Sequence, residues 1–171
     1  MFQIGQVVSY GTTGICTIED IRMESMSRSG VKKQEYYILR PAAAPTCKTY
    51  VPTGNAALTA KIRPVMTKEQ IDAMIAASEG EQLTWIEDAR RRAEAYQQIL
   101  DGGISSELLK LISTLYLEKK SREKQGKKFC ATDERILSGA ERIISEEFSY
   151  ALQISPKQVA PYIAHHINRE S

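Results

Sequence analysis

An aromatic ring beside a cluster of arginines is the arrangement in this chain that could do the most chemistry. The stretch LTWIEDARRR, residues 83–92, contains the chain's only tryptophan, Trp85, followed by Arg90, Arg91 and Arg92. An indole can stack on nucleic-acid bases or wedge between them, and a guanidinium group pairs well with a phosphate. These residue types make the stretch a candidate contact for nucleic acid.

A second basic run, EKKSREKQGKK at 118–128, could extend the same surface. In an antiparallel helical hairpin, the end of the helix carrying this run returns toward the start of the helix that carries the arginines. Because the formal net charge is only +2, a basic surface at that end would be local. Its candidate phosphate contacts are Lys119, Lys120, Arg122, Lys127 and Lys128.

Both features also have ordinary structural interpretations. A Lys/Arg run before a loop is typical of a solvated helix end that interacts favourably with the helix dipole. A tryptophan at the margin of an apolar stripe is typical of a packing residue. With Thr84 as the helix cap, a helical wheel places Trp85 roughly 20° from Arg92, which predicts a half-exposed indole beside a guanidinium.

Residues that carry catalysis or bind metals are not grouped in a recognisable pattern. His165 and His166 are adjacent and would point apart on a helix. Cys16, Cys47 and Cys130 lie far apart and form no CxxC motif, which predicts reduced thiols. The sequence contains no GxxxxGK[ST], GxSxG or HExxH motif. We therefore expect no enzyme activity, no metal, no cofactor and no small-molecule substrate.

The composition is that of an ordinary globular protein, with 42% hydrophobic and 26% charged residues. The first residues, MFQIGQVV, lack the basic segment and long apolar run of a signal peptide. No stretch approaches the roughly 18 apolar residues of a membrane-spanning helix. We expect a cytoplasmic protein without a membrane partner.

Residues 1–63 are predicted to form short strands. About five strands at close spacing, separated by turn signals, are typical of a small antiparallel barrel of SH3 or Tudor type. The candidate strands are QVVSY, ICTIEDI, EYYILR, KTYVP and AKIRP, with turns at GTTG (11–14) and SRSG (27–30).

From Thr67 onward the apolar period changes to 3.6, which predicts a bundle of about five helices over residues 64–171. Capping boxes are expected at TKEQ (67–70) and TWIE (84–87). Thr132 is expected to cap a later helix, and Pro161 to kink or restart the last one. The predicted fold is α+β, a small barrel followed by an all-α bundle.

The order of several segments resembles a known family. FQIGQVVSYGTTGICTIEDI, QEYYILRP, YVP and IRPVMTKEQI are similar to the amino-terminal module of CarD/CdnL-type bacterial transcription regulators, an RNA polymerase-interacting domain shared with transcription-repair coupling factors. The helical half, with LTW, RRR and SGAERIISEEFSYAL, resembles the carboxy-terminal domain of these regulators.

The resemblance implies a Tudor-like domain at 1–63 that binds the RNA polymerase β subunit, and a helical domain at 64–171 that contacts promoter DNA. At the upstream edge of the bubble a tryptophan would wedge into the minor groove and stabilise the open complex. The candidate polymerase contacts are Arg28, Lys48 and Tyr50.

The chain departs from the family pattern at three places. Tyr10–Gly14 lacks the proline and histidine of the usual Tyr-Pro-x-His-Gly, Tyr50 replaces the basic residue before Val-Pro, and Trp85 lies about one turn further from the arginines. The predicted function is an open-complex-stabilising regulator whose DNA contact is weak and largely sequence-independent. The alternatives are a protein-interaction module without DNA contact and, third, an RNA-binding barrel.

Overall fold

The computed structural model describes residues 1–25 and 33–167. The chain divides into two compact units, the first comprising Met1–Val65 and the second beginning at Met66. Strands form the first unit and helices the second, which confirms the predicted α+β class. None of the helices within the described ranges is long and apolar enough to cross a membrane.

The first unit is built on a five-stranded antiparallel sheet in the order β4-β3-β2-β1-β5. All five predicted strand segments form strands, whereas the predicted SRSG turn lies outside the described residues. The described pairings leave β4 and β5 as edges, so closure into an SH3- or Tudor-like barrel stays a prediction. The elements are β1 (Val7–Tyr10), a 3-10 turn (Gly11–Thr13), β2 (Gly14–Glu24), β3 (Gln34–Pro41), β4 (Thr49–Pro52), α1 (Ala56–Thr59) and β5 (Ile62–Pro64).

A bulge interrupts the predicted alternation along β2. Ile18 pairs with Leu39, but the next pair is Asp20 with Ile38, which leaves Glu19 as the extra residue. A bulge re-aims the side chain of its extra residue. The carboxylate of Glu19 is therefore positioned by the bulge rather than by strict strand alternation.

Buried apolar side chains of the strands form a hydrophobic core cluster in the first unit. Phe2 packs edge-on against Tyr37, with ring centroids 6.1 Å apart. The thiol of Cys16 is buried there, so it acts as a packing group. The buried members are Val8, Cys16, Ile18, Tyr37, Leu39, Val51 and Ile62.

Over residues 66–167 the second unit forms five helices, in agreement with the sequence. Their apolar faces share one core, to which α4 and α5 contribute most of the buried side chains. The helices are α2 (Lys68–Ser78), α3 (Ala89–Gly102), α4 (Ser105–Lys124), α5 (Ala131–Leu152) and α6 (Pro156–Ile167).

The predicted helix boundaries are partly confirmed. The capping box at Thr67 is present: its hydroxyl accepts from the Gln70 amide at 3.3 Å, and the Gln70 side chain accepts from the Thr67 amide at 2.9 Å. The expectation that Thr132 caps a helix is wrong, because Thr132 lies inside the first turn of α5, which begins at Ala131. The last helix does not restart at Pro161: α6 continues through it without the hydrogen bond that a proline cannot donate.

The predicted start of α3 is also wrong. Thr84 does not cap this helix; Asp88 does, because its carboxylate accepts from the Arg91 amide at 2.7 Å. Residues 81–88 are therefore not helical. Asp is a better N-cap than Thr, and the longer non-helical segment lets Trp85 pack independently of the helix.

Replacing Asp88 by Ala should lower the free energy of unfolding by about 1 kcal/mol, because the cap at the start of α3 is removed. Urea denaturation of the full chain measures the change. Thr84→Ala is the matched control and should have little effect, since the Thr84 side chain caps no helix. A greater destabilisation by Thr84→Ala than by Asp88→Ala would contradict this helix boundary.

Candidate nucleic-acid interface

The segment at 81–88, between α2 and α3, is fixed to the bundle by hydrogen bonds. The Leu83 amide donates to Thr114 Oγ1 on α4 at 2.8 Å. The Tyr96 hydroxyl on α3 donates to the Thr84 carbonyl at 3.5 Å. These bonds join the segment to two helices, so it has a defined position without being helical.

Trp85 lies in this segment and is half-buried. Its ring packs against the helical core and contacts Tyr96 edge-on, with ring centroids 6.3 Å apart. The Arg92 guanidinium carbon lies 4.3 Å from the indole centroid, and that of Arg122 lies 6.0 Å away. Both are within cation–π range. The predicted half-exposed indole beside a guanidinium is present, although the two residues do not share a helix face.

Arg92 itself is buried, with 4% of its surface exposed. Its Nε and Nη2 donate to the carboxylate of Asp133, the shortest distance being 2.8 Å. Its Nη1 donates to the carbonyls of Ile86 at 2.8 Å and Glu87 at 3.2 Å. A buried guanidinium with these partners does not reach a phosphate, so the predicted DNA contact through Arg92 does not fit the structure.

The ion pair also explains why Arg92 stays charged in the interior. The hydrogen bonds to Asp133 raise the pKa of Arg92 and outweigh the opposing effect of burial. Asp133 is the residue that sequence reasoning missed. The available signal is an acidic side chain in the first turn of α5, but nothing in the sequence shows which cation it faces.

The other predicted cations differ in how far they are neutralised. Arg90 pairs with Glu94 at 3.3 Å, Lys119 with Glu134 at 2.8 Å and Arg122 with Glu118 at 2.7 Å. The remaining four are exposed, and no ion pair joins them to a carboxylate within the described part of the chain. These four, Arg91, Lys120, Lys127 and Lys128, are the cations best able to reach an external phosphate.

The contact between Arg122 and Trp85 brings the two basic stretches together. Arg122 lies near the end of α4, and Trp85 precedes α3. The end of α4 and the start of α3 therefore meet at one end of the bundle, as the hairpin argument predicts. We call this end the Trp85 face.

The predicted polymerase contacts lie in the first unit. Arg28 is outside the described residues. Lys48 is exposed and pairs with Glu19 at 3.2 Å. Tyr50 is 36% exposed on edge strand β4, where its ring packs edge-on against Tyr36 at 6.3 Å.

The bulge residue Glu19 organises this surface. Its carboxylate accepts from both Arg40 and Lys48. The hydrogen bonds from Arg40 and then from Lys48 lower the pKa of Glu19, so it stays ionised. The three side chains leave one net positive charge beside the edge strand.

The first unit thus presents an edge strand of its sheet, and the helical unit presents a basic face that contains an aromatic ring. Residues 2–66 match the family model of the CarD-like/TRCF RID domain. The first unit is therefore similar to the RNA polymerase-interacting domains of this family, which is a protein-interaction rather than an enzyme family. A search of curated proteins found no match to the chain.

Replacing Arg92 by Ala should lower the free energy of unfolding by about 3–5 kcal/mol, because the buried carboxylate of Asp133 is left without its partner. Chemical denaturation of the full chain measures the change. Arg91→Ala, one residue away and exposed, should change stability by less than about 0.5 kcal/mol.

The double variant Arg92→Met/Asp133→Leu should recover much of the stability, since an apolar pair removes both buried charges. Equal stabilities for Arg92→Ala and Arg91→Ala would show that the ion pair does not hold this part of the bundle.

Proposed function

We propose that the chain is a transcription regulator that binds the RNA polymerase β subunit through its first unit and promoter DNA through its helical unit. The observation that carries the first half is the match of residues 2–66 to the CarD-like/TRCF RID domain. The choice of the β subunit rests on the family resemblance. Edge strand β4 offers a physical way to bind a protein partner, because an unpaired strand edge can add a strand from that partner.

Lys48 and Tyr50 are the side chains that would give this strand addition its specificity. Tyr50 lies on β4, and Lys48 lies one residue before this strand begins. Glu19 positions the Lys48 ammonium through their ion pair. The net positive charge of this group suits an acidic surface on the polymerase.

The DNA half of the proposal is supported by the Trp85 face. Its exposed cations can contact phosphates, and the uncovered part of the indole can contact a base step. Inserting a side chain costs about a few kcal/mol in base stacking, whereas stacking on an aromatic ring returns roughly 1–3 kcal/mol. The balance is near zero on intact duplex and becomes favourable where the polymerase has begun to melt the DNA.

Weak DNA affinity is compatible with this function. Non-specific contacts to phosphates give dissociation constants of about 10⁻⁴ to 10⁻⁶ M at physiological salt. Binding of the first unit to polymerase would raise the local concentration of the Trp85 face near the promoter. The proposed outcome is a longer-lived open complex.

A second candidate function is a protein-interaction module without DNA contact. The ion pairs of Arg90, Lys119 and Arg122 favour it, since each removes positive charge from the Trp85 face. The burial of Arg92 does so as well. DNA binding by the full chain separates the two functions.

The full chain with Tyr50→Ala or Lys48→Glu should capture RNA polymerase about fivefold or more weakly, because an interface aromatic or a steering charge is removed. Pull-down with purified core polymerase measures the capture. Lys61→Glu, which makes the same charge change before the opposite edge strand β5, should retain it. Equal capture by all three variants would exclude the β4 edge as the binding surface.

Lys127→Glu/Lys128→Glu should weaken duplex binding and flatten its salt dependence. The slope of log K against log salt should fall by about 0.9 for each phosphate that the variant no longer neutralises. Fluorescence anisotropy with labelled duplex across a salt series measures it. Lys157→Glu, at an exposed position on α6, is the control for a single charge reversal elsewhere on the helical unit.

Trp85→Ala serves as a second comparison in the same titration. It should lower affinity for a duplex with a mismatched bubble while leaving the salt slope unchanged, because an indole neutralises no phosphate. A slope that is identical in the wild-type chain and the double lysine variant would support the module without DNA contact.

A further inference from the structure

A cavity of about 620 Å³ opens in the helical unit, outside the Trp85 face. The end of α2 and the helices α4, α5 and α6 form its walls. Leu109, Ile112, Ile144 and Ile163 contribute apolar side chains to the lining. The volume equals that of roughly twenty liquid waters at about 30 Å³ each and lies within the range of about 300–1,000 Å³ typical of small-molecule sites.

The charged side chains that line this cavity are acidic. Among the described residues that line it, the charged side chains are Glu79 and Glu141, and both are exposed enough to meet a ligand at the mouth. Lys119 lies near Glu141, but its ammonium is paired with Glu134 at 2.8 Å and does not line the cavity. The site therefore combines an apolar interior with carboxylates on a protein of net charge +2.

An aromatic ring adds a further contact for a cation. Tyr116 lines the cavity and is 46% exposed. Its ring already attracts an ammonium group, since Lys120 Nζ lies 5.1 Å from the ring centroid. Carboxylates and a tyrosine ring are the groups that recognise an organic cation.

We propose that this cavity binds a small organic amine, with its apolar body among α4, α5 and α6 and its ammonium group beside Glu79 and Glu141. Charge complementarity selects the cation over a neutral or acidic molecule of the same shape. The proposal does not rest on the proposed function, although Lys120, one of the candidate phosphate contacts, lies against the Tyr116 ring at this site.

Three probes with one apolar body and different charges test the site: 2-naphthylmethylammonium, 2-naphthalenemethanol and 2-naphthoate. Titration into the ¹⁵N-labelled full chain, followed by amide chemical shifts, gives both location and affinity. The ammonium should bind about fivefold more tightly than the alcohol, as expected for a largely exposed ion pair, and the carboxylate most weakly. The shifts should centre on Gly80, Ser113 and Ala164, which line the cavity.

Glu79→Gln/Glu141→Gln should abolish the preference for the ammonium and leave the affinity for the alcohol unchanged. Glu107→Gln, an exposed carboxylate on α4 that does not line the cavity, should keep the preference. Ala164→Trp should weaken all three probes by filling the cavity. Circular dichroism verifies folding, and Ser113→Phe replaces Ala164→Trp if that variant does not fold.

Three results would overturn the proposal. The first is a naphthoate affinity equal to or greater than that of the ammonium, and the second is shifts that centre outside the cavity. The third is an ammonium preference that survives in the double glutamine variant, which would show that the two carboxylates do not recognise the cation.

Discussion

The buried pair between Arg92 and Asp133 is the contact on which the arrangement of the helical unit depends. It joins the first turn of α3 to the first turn of α5, across 41 positions of sequence. Removing two charges from water costs several kcal/mol per ion, so such a pair persists only with good geometry and further hydrogen bonds. The bidentate contact and the carbonyls of Ile86 and Glu87 supply them.

This pair also fixes the position of the tryptophan. Arg92 holds the chain before α3 by its carbonyls and at the same time contacts one side of the Trp85 ring. A ring held in this way already has little conformational freedom in the folded protein. Its ordering therefore costs less entropy when it contacts a partner. The same contacts cover part of the indole, so a more rigid ring exposes less surface to a partner.

The positive charge at the end of α4 is also only partly available to a partner. The basic run at the end of α4 interacts favourably with the helix dipole, and part of it is neutralised by carboxylates on α4 and α5. A strongly basic face would bind any nucleic acid; a partly neutralised one contributes little affinity alone. Such a face suits the proposed function, in which tethering through the other unit would set the position on DNA. In the first unit, the Glu19 bulge plays the comparable local role by holding Lys48 beside the edge strand.

The five strands and five helices of the described residues follow from local sequence pattern, because periods of 2 and 3.6 reflect contacts between near neighbours. The similarity of the first unit to the CarD-like family also followed from its ordered segments. The start of α3 did not, since both Thr84 and Asp88 are capping residues. Tertiary contacts decided it: the carbonyls of residues 86 and 87 accept from the Arg92 side chain and not from helix amides. The same long-range pairing with Asp133 changed Arg92 from a predicted surface cation into a buried one, which neighbouring residues alone do not encode.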